Sequence, residues 1–172
     1  VCNNFADGDT NAYLIHVGEG TDQDALDEFS DLFTLTSTAG CLYSSRTAIT
    51  HGTAFGPDEF SVMAEFGMKL IWSPASNNAL YGVTTNIPQA IGAGVTVALA
   101  PDWSMGGSQN ILDEIRAADS WDNTHWGDTL SASDFFAMTT SNAAQALGLG
   151  SVLGHLEEGY IADIVVFSAT GN

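Results

Sequence analysis

Ala12-Tyr13-Leu14-Ile15-His16-Val17 is an apolar run that ends at a histidine, and Thr47-Ala48-Ile49-Thr50-His51 repeats the pattern one helix later. Between them, Asp22 to Leu35 carries Leu26, Phe29, Leu32 and Phe33 at helical spacing on an acidic background, which predicts an amphipathic helix. Working outward, Pro57-Asp58-Glu59 opens a helix running to Phe66, because proline suits a first turn and acids suit the positive end of the helix dipole. Lys69 to Trp72 reads as a third strand, stopped by Ser73-Pro74. Asn86 to Ala93 reads as a short helix closed by Gly92-Ala93-Gly94, and Val95 to Ala100 as a fourth strand. Strand and helix signals that alternate this way describe an α/β fold, a parallel sheet wrapped by helices. Four such units fill residues 12 to about 120, at the intervals of successive strands in a β/α barrel.

After Ser131 the texture changes to two serine-led helices, Asp134 to Met138 and Ala143 to Leu149, which read as packing elements. The turn-rich stretch Gly154 to Asp163 then feeds an expected strand, Ile164 to Phe167, whose partners lie in another sheet. The division is therefore residues 1–150 as barrel and 151–172 as the tail of a second, smaller unit. The start, Val1-Cys2-Asn3-Asn4-Phe5, has neither a basic region nor an apolar core from which to argue a signal peptide, and it reads as the middle of a longer protein.

The chain has 172 residues, 45% of them apolar, enough for one buried core and with no membrane-length segment. A cytoplasmic location is the default expectation. Asp and Glu number 21 against Arg46, Lys69 and Arg116, for a formal charge of −18. That balance excludes nucleic acid and anionic membrane as partners, since both demand a basic face. Cys2 and Cys41 both fall toward the end of the barrel opposite the strand-end loops; a bridge is conceivable, but two unbridged thiols are the default expectation.

Active sites of β/α barrels are built at the strand ends that carry the connecting loops, so polar residues there read as chemistry. His16 offers an imidazole, and Glu19, three residues on, a carboxylate able to reach the same pocket and carry protons. His51 offers either a second metal ligand or a hydrogen-bond donor that polarises substrate, and the donor role is preferred. Asp102, in Ala100-Pro101-Asp102-Trp103-Ser104, offers a metal ligand and a base. Each also has an ordinary structural reading, a hydrogen-bonded strand-end histidine or an aspartate in a turn. Trp72, Trp103 and Ser104 are candidate pocket lining.

Taken together, His16-x-x-Glu19, His51-Gly52, Ser73-Pro74-Ala75-Ser76-Asn77 and Asp102 resemble the amidohydrolase superfamily, in its cytosine deaminase, triazine hydrolase and guanine deaminase branch. Ser141 to Leu149 and Gly154 to Phe167 are similar to that superfamily's closing segment. The resemblance covers nearly the whole chain and implies the C-terminal half of a (β/α)8 TIM barrel, strands five to eight, with a tail strand returning to a small β-sandwich. It implies a metal-dependent hydrolase of a non-peptide C–N bond in a small cyclic amide or amidine, attacked by hydroxide generated on a divalent ion, zinc foremost or iron. His16 and Asp102 would hold the metal; Glu19, His51 and Asp102 would be catalytic; Asn77 and Trp103 would contact substrate.

The superfamily's strand-one His-x-His has no counterpart here, because His125 and His155 lack its spacing and read as surface residues. His16 and Asp102 alone are too few ligands for a catalytic zinc. The expected partners are thus a small-molecule substrate and the missing N-terminal half of the barrel, with self-association through open strand edges as a further option. The alternative is an inert half-barrel or a small-molecule binding module.

Overall fold

The computed structural model of the chain describes residues 1–103 and 105–167. Four strands, β1 (Tyr13–Val17), β2 (Thr47–His51), β3 (Lys69–Trp72) and β4 (Thr96–Leu99), form one sheet in the order β1-β2-β3-β4. All three pairings are parallel, with Tyr13 opposite Thr47, Ala48 opposite Lys69, and Lys69 opposite Thr96. The helices are α1 (Cys2–Asp7), α2 (Gln23–Thr34), α3 (Pro57–Glu65), α4 (Pro74–Tyr81), α5 (Ile87–Gly92), α6 (Ile111–Trp121), α7 (Ala132–Thr139) and α8 (Ser141–Ala146). A π-helical turn, Asp122–Trp126, extends α6.

Local sequence explains the boundaries. Asp22 and Asn86 cap α2 and α5 by accepting the backbone N–H of Ala25 and Gln89, so both helices begin one residue after the aspartate and asparagine that announce them. Pro57 occupies the first turn of α3, where Glu59 accepts the Gly56 N–H at 2.9 Å. Strand alternation sorts the core. Ile49, Leu70, Trp72, Val97 and Leu99 face the layer of Phe29, Leu32, Phe60, Met63 and Ile87. Ala48, Ile71 and Ala98 face the other way, toward Ala143 and Ala146 around α8. Asn142 seats that helix by donating to the Val97 carbonyl at 2.9 Å.

Several expectations require correction. Ser73-Pro74 ends β3 but also starts α4: proline fits a first helical turn, and the buried Glu114 of α6 accepts the Ala75 N–H at 3.0 Å. Cys2 and Cys41 are not free thiols but a disulfide, with Cα atoms 5.9 Å apart, joining α1 to the loop before β2. Arg46 reinforces the junction by donating to the carbonyls of Phe5 and Thr10 and lying over the Phe5 ring. Ile164 to Phe167, whose expected strand partners lie in another sheet, is exposed and pairs with none of the four strands among the described residues. Trp72, a candidate for the pocket lining, is wholly buried in the core. His125 and His155, by contrast, are exposed as expected, His125 lying in the π-helical turn with its ring stacked on Trp121 at 3.7 Å.

Candidate metal and hydrolytic site

The site gathers at the C-terminal ends of the strands. β1 presents His16 near its last residue, and the loop then turns at Gly18, whose φ of 71° is a left-handed value and whose missing side chain leaves room for the Phe55 ring. That turn brings Glu19 back over the strand end, with Oε2 3.4 Å from His16 Nδ1 and 3.4 Å from His51 Nε2. The Tyr81 hydroxyl donates to the other oxygen, Oε1, at 3.3 Å. Burial, then the charge of Glu19 and this hydrogen bond, raise the Tyr81 phenol above its ordinary range.

His51 ends β2 with a φ of 77°, a conformation few non-glycine residues adopt, and Gly52 follows at 59°. The two left-handed residues lift the chain out of the sheet and set the imidazole against His16, ring centroids 4.7 Å apart and edge to face. The Gly52 and Ala54 N–H groups donate to the carbonyls of Val17 and Gly18, which ties the two strand-end loops together. His51 is fully buried. Burial lowers its pKa from the usual histidine value; Glu19 opposes that shift, His16 adds to it, and Asp102 opposes it.

One ligand atom each from His16, His51 and Asp102 lies within 4.8 Å of the others. His16 and Asp102 offer an imidazole and a carboxylate, two of the donor types zinc takes, and the buried His51 stands beside them. His51 Nε2 is, moreover, a buried polar atom without a hydrogen-bond partner, aimed toward Glu19. The residues fit a divalent ion.

Of the residues singled out from sequence, His16, Glu19, His51 and Asp102 therefore converge. Asn77 reaches the group through His51, its Nδ2 lying 3.0 Å from Nδ1. Trp103 is half exposed, and no hydrogen bond joins its side chain to the cluster among the described residues. Ser104 lies outside the described residues. Tyr81, Thr84 and Thr85 were not legible as site residues. Their one signal is position, at the end of α4 and just beyond it, immediately after the Ser73 to Asn77 motif.

Residues 6–171 match the model of the amidohydrolase family. The 5-methylthioadenosine/S-adenosylhomocysteine deaminase of Haloquadratum walsbyi is 34% identical over 128 residues, 73% of this chain and 28% of that protein. Among solved structures, an adenosine deaminase from Xanthomonas campestris with bound zinc superposes with a TM-score of 0.75 at 23% identity, over 94% of this chain and 38% of that one. The atrazine chlorohydrolase of Arthrobacter aurescens complexed with zinc gives 0.74 at 24%, over 94% and 36%. The chain thus spans less than a third of the length of the curated relative and under two fifths of either solved structure. With the family model matching nearly end to end, and a parallel α/β sheet like those of its barrel neighbours, the chain belongs to the amidohydrolase family.

Proposed function

We propose that this chain is the C-terminal part of a metal-dependent amidohydrolase that cleaves a C–N bond of a small cyclic amidine or amide. Its four strands are read as strands five to eight of a (β/α)8 barrel, with residues 1–150 the barrel portion and 151–172 belonging to a small β-sandwich. The observation that carries the proposal is the meeting of His16, His51 and Asp102 within 4.8 Å, with Glu19 3.4 Å from both imidazoles. Deaminases acting on an aminopurine, as the Haloquadratum relative's name describes, supply the substrate class: an amino-substituted ring carbon is a cyclic amidine.

In this reading His16 and Asp102 hold the ion. A divalent metal such as zinc lowers the pKa of water enough to yield hydroxide at neutral pH. Glu19, bridging the two imidazoles and anchored by Tyr81, accepts a proton on Oε2 and returns it to the departing nitrogen. His51, dry and held below its usual pKa, stays neutral and supports charge developing on the substrate. Trp103 is assigned to the substrate side; Asn77, expected there as well, is buried with both amide atoms engaged by His51 and Thr84, and is assigned instead to the orientation of His51.

The remaining ligands and half of the barrel come from an N-terminal partner segment. Elemental analysis of the chain alone, and co-produced with the polypeptide encoded directly upstream, tests this. One zinc or iron per complex, abolished by His16→Ala or Asp102→Ala, is expected. A folded complex without metal refutes the proposal.

A further inference from the structure

Beyond Asn77 the hydrogen bonds continue into the core, and their direction is set there. The Trp72 indole N–H, which can only donate, points at Thr84 Oγ1 at 2.7 Å. Thr84 accepts that bond and gives its own proton to Asn77 Oδ1 at 3.2 Å. With the amide oxygen so engaged, the Asn77 NH2 group is the part that faces His51 Nδ1, at 3.0 Å. An amide NH2 has only protons to offer, so Nδ1 must be the bare, accepting nitrogen. The neutral ring then carries its proton on Nε2, the atom that has no partner and faces Glu19 at 3.4 Å. Trp72, Asn77 and His51 are all fully buried, so water does not compete at the Asn77–His51 bond, and Thr84, half-buried, is the link nearest solvent. Thr85 completes the clamp by donating to the His51 carbonyl at 2.5 Å.

We infer that Trp72, Thr84 and Asn77 form a polarised relay that locks His51 in the Nε2–H tautomer, making it a hydrogen-bond donor to the substrate and barring it as a metal ligand. Asn77 and Thr84 are positioning residues acting through the imidazole. The reverse orientation of the amide would load both lone pairs of Thr84 Oγ1, with the indole and the amide NH2, and send the Thr84 hydroxyl proton out to solvent in place of the Asn77 oxygen. The group that His51 serves is accordingly a hydrogen-bond acceptor, a ring nitrogen or carbonyl oxygen next to the reacting carbon. The inference deepens the hydrolase reading, but its test needs neither metal nor turnover, so either can fail without the other.

The test is long-range 1H–15N correlation on the metal-free 172-residue chain labelled with [15N]histidine, at about pH 9, more than two units above the ordinary histidine pKa. His51 is assigned by loss of its signals in His51→Asn. The parent should show an unprotonated Nδ1 and a protonated Nε2 at His51. Asn77→Asp, whose carboxylate can only accept, should invert the pattern and free Nε2, and zinc titration of that variant should show at least tenfold tighter binding than the parent because a third ligand is released. Thr84→Val should give a mixture of tautomers and Thr84→Ser should restore the single one. Protonated Nδ1 in the parent overturns the inference, as does an unchanged pattern in Asn77→Asp. If Asn77→Asp does not fold, a single unaltered tautomer in Thr84→Val overturns it equally.

Discussion

Replacing both Cys2 and Cys41 with alanine should lower the stability of the oxidised chain by about 4 kcal/mol. The bridge closes a loop with a sequence separation of 39, and the chain-entropy relation for a loop of that length gives about 13 cal/mol/K, or about 4 kcal/mol at room temperature. Unfolding a chain of 172 residues carries an entropy of about 0.36 kcal/mol/K, so the melting temperature should fall by about 10 °C. The loss should be felt globally because the crosslink fixes α1, which has no buried residue of its own, to the loop leading into β2. Arg46 donates to carbonyls of this same N-terminal segment, so the segment should melt with the core rather than ahead of it. Thermal denaturation followed by far-UV circular dichroism, with and without reductant, is the assay. A shift below about 2 °C, with only a small non-cooperative loss of helix signal, would refute the reasoning by showing that α1 melts independently of the sheet.

Leu70→Ala should cost about 2–5 kcal/mol, because Leu70 is fully buried at the centre of the sheet; urea unfolding would report it as a lower midpoint at constant slope. Glu114→Ala should cost about 1–3 kcal/mol by leaving the Ala75 N–H without its acceptor, whereas Glu114→Gln, which retains an oxygen, should cost less in the same assay. Ser131→Ala should cost about 1 kcal/mol, since Ser131 and Asp134 cap each other at the start of α7. The hydrogen bonds from Ser131 lower the Asp134 pKa below 3.8 in the folded chain, so the unfolded chain binds the proton more readily. The Asp134 contribution is therefore complete above the unfolded pKa and disappears as pH falls through the folded one. Comparing Asp134→Asn with the parent across that acidic range should show the difference in melting temperature shrinking.

The four strands were legible because each is a short apolar run bounded by polar or turn-forming residues, and the register follows once they run parallel. His16, Glu19, His51 and Asp102 were legible for a related reason: polar residues stand out at the ends of such runs. Asn77 carried a signal through its motif, but the motif does not say what the amide touches. Thr84 and Thr85 carried none, since two threonines after a helix look like ordinary loop residues until the fold brings them under His51. The α4 helix was hidden because Ser73-Pro74 marks both a strand end and a helix start, and the choice depends on Glu114, far away in sequence. The bridge between Cys2 and Cys41 was only a minority reading, because two cysteines set no framework and the sequence does not say how close their backbones come. Ile164 to Phe167 is apolar enough for a strand, yet an apolar run becomes a strand only where a neighbour offers its hydrogen bonds.

The left-handed backbone at His51 has a practical consequence for mutational scanning. Under the proposed function, position 51 is screened by two independent criteria, the ring chemistry assigned to it and a φ of 77° that β-branched side chains resist. Valine or isoleucine there would fail by misfolding and reveal nothing about the imidazole. Asparagine and glycine tolerate that conformation, which makes His51→Asn and His51→Gly the substitutions whose phenotype can be ascribed to the missing ring. A saturation library would then split into two groups of inactive variants, one soluble and one not, separable by expression level alone.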